Sequence, residues 1–147
     1  MATVYVSAII NAPIDQVWPY LRGFNRLAEW HPFVSQSRIE DELPEAQVGC
    51  VRNFQLVDSG DTIREQLLTL SDQDHRCTYS ILDSPMPIEG YLASVQLIEI
   101  TTTNQTFGHW RANFDVAKSE EQAIVELVTS VFTEGFASLN KILDSSP

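Results

Sequence analysis

The stretch of residues 119–143 restricts the fold of this chain more than any other part of its sequence. Ser119 followed by Gln122 has the spacing of a capping box, in which the two side chains satisfy amide groups of the first helical turn. Lys141 lies near the other end, where the helix dipole favours positive charge. Apolar residues recur at helical spacing along the stretch, namely Ile124, Leu127, Val128, Val131, Phe132, Leu139, Ile142 and Leu143. A long helix with one apolar face and no partner helix of similar length needs a sheet to pack against.

Three residues of this helix have two interpretations each. Gly135 costs about 1 kcal/mol relative to alanine inside a helix, so it indicates either a bend or the close approach of another group. Phe132 and Phe136 are either ordinary core residues or part of the wall of a cavity. The sequence alone does not separate these alternatives.

The rest of the chain has the pattern of strands, interrupted near its start by two short helices. Residues 3–10 are rich in valine and isoleucine and predict the first strand. Pro13 begins the first short helix and Pro19 limits it, because proline cannot donate the backbone hydrogen bond. The second short helix covers residues 24–30 and stops before Pro32. Six further strands are predicted at residues 34–41, 49–57, 62–70, 75–82, 91–102 and 106–116.

This order of elements predicts the fold class and the domain organisation. Runs of strands joined by polar turns and followed by one long helix are typical of an α+β layer. We therefore expect a seven-stranded antiparallel sheet curled around the C-terminal helix. A chain of 147 residues is long enough to bury a core, and we expect one domain covering residues 1–147.

Composition excludes several classes of function. The net charge of −11 and the pI near 4.5 predict repulsion from nucleic acids and from anionic membrane surfaces. No apolar run is long enough for stable membrane insertion. Cys50 and Cys77 make no disulfide framework and the N-terminus lacks a signal-peptide pattern, so we expect a reduced, cytoplasmic protein. Neither a cofactor-binding fingerprint nor a metal-site spacing of His and Cys is present.

Strand residues alternate between the two faces of a sheet, so residues of one parity share a face. Arg52 and Glu65 are charged members of otherwise apolar sets on adjacent strands. Such residues are almost never fully buried unless paired, which leaves two interpretations. They form a structural ion pair, or they orient a ligand or act as an acid and base beside it. The sets predicted to form the concave face are Arg52, Phe54 and Leu56; Ile63, Glu65 and Leu67; Cys77, Tyr79 and Ile81; Tyr91, Ala93, Val95 and Leu97; and Trp110, Ala112 and Phe114.

His31 is a second candidate for proton transfer, because the pKa of an unperturbed imidazole lies near neutrality. Its position between Trp30 and Pro32, where the short helices meet the sheet, fits a packing role equally well. Both interpretations stay open at the level of the sequence.

The predicted loop at residues 83–90 differs from an ordinary polar connection. Pro85 and Pro87 make it stiff, and Met86 is apolar and adapts to varied shapes. Such a loop either covers the mouth of a pocket as a lid or closes the end of the core.

An ordered set of short motifs runs along nearly the whole chain. Its residues are Ala12, Pro13, Val17 and Trp18; Trp30, His31 and Pro32; Gly49, Cys50, Val51 and Arg52; Asp58, Ser59 and Gly60; Arg64, Glu65, Gln66 and Leu67; Tyr79, Ser80 and Ile81; Ser84, Pro85, Met86, Pro87 and Tyr91; and Trp110. In this set the sequence resembles the Bet v 1/START-like superfamily, specifically its polyketide cyclase/dehydrase type 2 branch. The resemblance implies a helix-grip fold, in which a seven-stranded sheet wraps around a long C-terminal helix and encloses a largely apolar pocket.

The chain also resembles, more distantly, the plant abscisic acid receptors. The pocket of those receptors uses an arginine, a glutamate and a tyrosine at places matched by Arg52, Glu65 and Tyr91. Two departures speak against a hormone receptor: Ser35 stands where the receptors have the lysine that anchors the hormone carboxylate, and a short turn at residues 58–61 replaces their gate loop. The resemblance therefore implies a pocket but not the regulation of a phosphatase.

We expect this pocket to bind or carry a small hydrophobic molecule, without a cofactor or a metal ion. An alternative is a cyclase or dehydratase acting on a polyketide-like or aromatic molecule, with Glu65 or His31 as general base and Arg52 stabilising a developing enolate. A third possibility, a module that binds another protein through its acidic surface, rests on charge alone. The predicted ligand-binding residues are Trp30, His31, Phe33, Arg52, Phe54, Glu65, Leu67, Tyr79, Ile81, Pro85, Met86, Pro87, Tyr91, Trp110, Phe132 and Phe136.

Overall fold

Seven antiparallel strands form one sheet in the computed structural model, which describes residues 1–144. The strands are β1 (Ala2–Ile10), β2 (Val34–Ile39), β3 (Val51–Leu56), β4 (Thr62–Ser71), β5 (Arg76–Asp83), β6 (Ile88–Ile100) and β7 (Gln105–Val116). Their order across the sheet is β1-β7-β6-β5-β4-β3-β2, so strands β2 to β7 pair in succession and β1 pairs with β7. The predicted seven-stranded antiparallel sheet is confirmed. The loop before β6 is shorter than predicted, because β6 begins at Ile88.

Three α-helices and two 3₁₀ turns accompany the sheet within the described residues. They are α1 (Ile14–Arg22), a 3₁₀ turn (Phe24–Arg26), α2 (Leu27–Trp30), a second 3₁₀ turn (Glu40–Glu42) and α3 (Lys118–Leu143). Pro19 does not limit α1 as predicted, since it lies inside the helix. A proline there removes one backbone hydrogen bond, and we attribute the continuation of the helix to the burial of Val17, Trp18 and Leu21 on one face. The predicted arrangement of short helices after the first strand and one long helix at the end is confirmed.

The beginning of α3 differs from the prediction. The helix starts at Lys118, one residue earlier than expected, and no side chain caps its N-terminus. Ser119 therefore lies inside the first turn, and the side-chain amide of Gln122 donates to the Glu126 carboxylate at 3.3 Å. The predicted capping box is wrong. The apolar face is nevertheless buried at Ile124, Val128, Phe132, Phe136 and Leu139.

Gly135 of α3 marks a close approach of other side chains. A Cβ at this position would lie 3.0 Å from Cζ3 of Trp110 and 3.1 Å from Cδ2 of His31. Because protein interiors are close-packed, a larger residue here would push β7 and the end of α2 away from the helix. The close approach accounts for a glycine inside this helix despite its cost.

The long helix is not held equally by all parts of the sheet. It packs closely on β1 and β7 and on α1 and α2, whereas its backbone stands away from β3, β4 and β5. The side chains that fill the remaining space therefore decide whether a cavity is left there. No helix among residues 1–144 combines the length and the hydropathy needed to cross a bilayer.

Candidate functional site

A cavity of about 70 Å³ lies between the concave face of the sheet and α3, and we call it the inner cavity. Strands β2 to β7 all contribute to its wall, together with α2 and α3. The wall is apolar except for a few polar side chains, of which Arg52 and Glu65 are the charged ones among the described residues. An engineered apolar cavity of about 150 Å³ in another protein is large enough for benzene, and the inner cavity is smaller than that.

Arg52 and Glu65 form a buried ion pair in this wall. They lie opposite each other on β3 and β4, and their side chains are 8% and 7% exposed. Nε and Nη2 of Arg52 both contact Oε1 of Glu65, at 2.8 and 2.6 Å. Nη1 donates to the carbonyl oxygen of Phe24 at 3.1 Å. The guanidinium also lies 4.0 Å from the centre of the Phe24 ring, a favourable cation–π contact.

The two charged groups differ in the hydrogen-bonding capacity they leave unused. Each nitrogen of the Arg52 guanidinium has a partner. Both contacts to Glu65 go to Oε1, and within residues 1–144 the second oxygen, Oε2, makes no hydrogen bond. Each guanidinium nitrogen therefore makes at least one contact, although two of the five N–H groups stay unassigned, whereas one carboxylate oxygen makes no hydrogen bond among the described residues and is available to a ligand.

Burial also changes the proton affinities of this pair. It raises the pKa of the Glu65 carboxyl, and the neighbouring Arg52 guanidinium offsets this only in part. Burial lowers the pKa of Arg52, but Glu65 and Tyr79 more than compensate, so the net pKa is raised and the guanidinium stays charged. The site thus holds a permanent cation next to a carboxylate that takes up a proton more readily than usual.

Two tyrosine hydroxyl groups lie near the ion pair. The indole Nε1 of Trp110 donates to the hydroxyl oxygen of Tyr79 at 2.9 Å. Burial raises the pKa of Tyr79. Burial also raises the pKa of Tyr91, and this outweighs the lowering effect of a hydrogen bond with Tyr79. Both hydroxyls therefore stay protonated and neutral at physiological pH. They add polar atoms to the inner cavity without adding charge.

His31 lines the inner cavity, but both of its ring nitrogens are already engaged. Nε2 lies 2.8 Å from the carbonyl oxygen of Val131, and the amide of Phe33 donates to Nδ1 at 3.1 Å. A carbonyl can only accept and an amide can only donate, so these bonds select the neutral tautomer with the proton on Nε2. Burial lowers the pKa of His31 to about 4, against a raising effect of the Val131 bond. The ring fixes the end of α2 to α3, and it has no free lone pair for use as a base.

A second space, of about 620 Å³ and open to solvent, adjoins the inner cavity, and we call it the outer groove. It lies beside the β3–β4 turn, the start of the β5–β6 loop and α3. The predicted turn at residues 58–61 is confirmed there, with Gly60 in the left-handed conformation that glycine favours (φ 73°). Five apolar residues line both spaces, and we call them the partition: Phe33, Leu56, Ile63, Met86 and Val131. The two spaces are therefore adjacent and share these residues in their walls.

Most of the predicted ligand-binding residues lie in the wall of the inner cavity: His31, Phe33, Arg52, Phe54, Glu65, Tyr79, Ile81, Met86, Tyr91, Trp110 and Phe132. Pro85 lies in the outer groove, and Pro87 lines a separate surface hollow. Trp30, Leu67 and Phe136 are buried but lie outside both walls. The rings of Trp30 and Phe136 pack against the Trp110 ring at 6.1 and 5.5 Å and so support the wall from behind. The effect of any of these residues on a ligand stays a prediction.

The wall also contains residues that the predicted ligand-binding set omits: Leu27, Val34, Leu56, Ile63, Val128 and Val131. Leu56 and Ile63 belong to the concave-face sets, and Val128 and Val131 belong to the apolar face of the helix. The alternation along the strands and the helical period of α3 therefore predicted the faces on which these four residues lie. These patterns did not show how far along each element the cavity extends.

A curled antiparallel sheet, a long C-terminal helix and a cavity between them define a helix-grip protein of the Bet v 1/START-like class. The chain belongs to the family described as polyketide cyclase/dehydrase and lipid transport, whose sequence profile matches residues 1–144. No curated protein matches the chain.

Solved structures give the same fold. The protein XoxI from Bacillus cereus is 29% identical, with 99% of this chain and 97% of that chain covered and a TM-score of 0.86. An uncharacterised protein from Bacillus thuringiensis is also 29% identical, with 97% and 98% covered and a TM-score of 0.84. A point mutant of norcoclaurine synthase from Thalictrum flavum, in complex with a transition-state analogue, is 11% identical, with 97% and 93% covered and a TM-score of 0.73. At that identity the likeness to the synthase concerns the fold alone.

Proposed function

We propose that the chain acts as one domain over residues 1–147 and binds or carries a small hydrophobic molecule in the inner cavity and the outer groove. The observation that carries this proposal is the partition, because five apolar residues line both spaces and make them adjacent. Apolar walls with a small number of polar groups are typical of small-molecule sites. The family profile, which includes lipid transport, supports the same class of function.

Binding requires the partition to move, because the inner cavity is too small by itself. Met86 is the member best suited to this, since its side chain is flexible and lies on the short loop between β5 and β6. Its backbone is fixed locally: the Met86 amide donates to the hydroxyl of Ser84 at 3.1 Å, and its carbonyl accepts from Ile88 at 2.9 Å. We therefore expect the side chain of Met86 to swing while the loop keeps its shape. We therefore propose that this loop covers the mouth of the pocket as a lid, and not that it only closes the end of the core.

A second candidate function is acid–base catalysis on a polyketide-like or aromatic substrate in the same space. Glu65 favours it, because this buried carboxyl has a raised pKa and an oxygen, Oε2, outside the ion pair. Arg52 is less suited to stabilise an enolate, since Glu65 already neutralises its charge and each of its nitrogens already makes one contact. His31 is less suited as a base, for the reason given above. If the protein is an enzyme, Glu65 is the residue that we expect to move the proton.

Native mass spectrometry of protein purified from its own host tests the proposal, followed by extraction and identification of any bound molecule. We expect a stoichiometric hydrophobic molecule. A neutral fluorophore, N-phenyl-1-naphthylamine, gives an independent measure of binding. Val131→Phe fills the partition and should weaken fluorophore binding, whereas Val125→Phe places the same residue on α3 outside both walls. Protein that is empty and also binds no fluorophore would contradict the proposal. Turnover of an extracted molecule that is lost in Glu65→Gln, under conditions where circular dichroism shows this variant folded, would favour the enzyme.

A further inference from the structure

The polar atoms of the inner cavity favour one kind of ligand group. Arg52 supplies the cation in its wall, and each of its nitrogens makes one contact to Glu65 or Phe24, which accounts for three of its five N–H groups. The carboxylate oxygen Oε2 of Glu65 is the charged atom without a partner among residues 1–144. The hydroxyl of Tyr91 donates or accepts equally well, so it does not select for charge. Among the charged atoms of this wall, the one that makes no hydrogen bond within the described part of the chain is therefore an acceptor, and the charge of Arg52 is already balanced by Glu65.

The residues of the outer groove also disfavour a negatively charged ligand. Asp58 and Asp61 are exposed on its edge, and we call them the acidic rim. Within residues 1–144, no Lys, Arg or His side chain lines the groove. The net charge of −11 adds a long-range field of the same sign. A ligand therefore meets negative charge at the mouth and an acceptor oxygen further in.

We propose that the ligand of this site is an apolar molecule that carries a hydrogen-bond donor, a hydroxyl or an ammonium group, and no negative charge. This inference rests on the proposed function, since it describes the ligand of the same space. The donor group would meet Oε2 of Glu65, and the apolar body would extend past the partition into the outer groove.

The guanidinium of Arg52 does not make the binding of a carboxylate ligand favourable. An anion that contacts one of the two remaining N–H groups would share a guanidinium that Glu65 already neutralises, and an anion that displaces Glu65 would leave a buried carboxylate without its partner. Breaking one half of a buried ion pair is far more costly than breaking an exposed one. An anion that does not displace Glu65 would instead face a charge of its own sign, in the cavity and again at the rim.

Competition between three probes of equal chain length tests this inference. N-phenyl-1-naphthylamine is bound to the full-length protein and displaced at neutral pH by 1-decanol below its solubility limit, or by decylamine or decanoate below its critical micelle concentration. We expect 1-decanol and decylamine to compete, and decanoate to compete at least about tenfold more weakly, because like charges are brought together without a counterion. Decanoate binding as tightly as 1-decanol would overturn the inference while the proposed function stands. Failure of the fluorophore and all three probes to bind would overturn both.

Variants of the acidic rim test the role of the groove without touching the buried pair. Asp58→Asn combined with Asp61→Asn should weaken the binding of decylamine by about two- to fivefold at low salt and leave the binding of 1-decanol unchanged. The expected effect is small because exposed charges interact weakly and are screened. The matched control is Asp74→Asn combined with Glu99→Gln. It removes the same charge at the opposite end of the sheet, near the β4–β5 and β6–β7 turns. An equal loss of decylamine affinity in both double variants would show that net charge alone acts, and would overturn the assignment of the rim.

Discussion

The neutral His31 ring between α2 and α3 makes the stability of this protein depend on pH in a specific way. The pKa of the imidazole falls from its ordinary value of 6.5 to about 4 on folding, because burial disfavours the charged form. Protonation would also break the hydrogen bond from the Phe33 amide to Nδ1. Between these two pKa values the unfolded chain binds the proton more readily than the folded protein. The stability due to His31 is thus fully present above pH 6.5 and is lost as the pH falls towards 4.

The size of the effect follows from the two pKa values. Linkage gives a loss of about 2 kcal/mol at pH 5 and about 3 kcal/mol at pH 4, relative to neutral pH. Other groups titrate in the same range, so His31 must be isolated by a variant. His31→Gln keeps an amide donor for the carbonyl of Val131 and does not titrate. Its stability should therefore fall less steeply with pH than that of the parent protein, by the amounts given.

Urea unfolding followed by tryptophan fluorescence at several pH values measures both curves, and NMR titration of the imidazole measures the folded pKa directly. The parent protein and His31→Gln share every other titrating group. Their difference therefore reports His31. Parallel stability curves, or an NMR pKa near 6.5, would refute the reasoning and would show that the ring is more accessible to protons than its contacts imply.

Two further substitutions test the packing and the ion pair. In Gly108→Ala, a Cβ would lie 2.8 Å from Cε1 of Phe136, so we expect thermal denaturation to show a loss of about 1–3 kcal/mol; an unchanged melting temperature would mean that Phe136 moves away freely. Glu65→Gln leaves the Arg52 guanidinium buried without a counterion and should cost about 3–5 kcal/mol in urea unfolding. Arg52→Met combined with Glu65→Leu should recover most of that loss, and a double variant no more stable than Glu65→Gln would contradict the electrostatic explanation.

The concave face was predictable because alternation along a strand is a geometric property of an extended chain. Arg52 and Glu65 share this face, as their parity required, and the register of β3 and β4 places them opposite each other. Alternation did not predict which residues along each strand reach the cavity. Leu67 has the parity of Glu65 but lies in the core away from the cavity, because parity fixes the face and not the distance from the helix.

Local capping signals were less informative than the long apolar pattern of α3. The helix itself follows from the burial of its apolar face, whereas its first residue depends on small differences among neighbouring caps. Leu127 and Ile142 fit the helical period yet are 45% and 47% exposed. Leu127 borders the outer groove, which the sequence could not reveal because the groove depends on where the helix stands away from the sheet.

Because α3 contacts the sheet unequally, the two halves of the sheet have different roles. The half formed by β1 and β7 holds the helix, and we expect its backbone amides to exchange with solvent most slowly. The half formed by β3, β4 and β5 carries the pair of charged residues and two of the five partition residues, Leu56 and Ile63, yet contributes less to anchoring the helix. Substitutions in that second half that leave the ion pair intact should therefore loosen the helix less than substitutions in β1 or β7. Such a separation lets one scaffold acquire new ligand preferences by small steps while the anchored half stays the same.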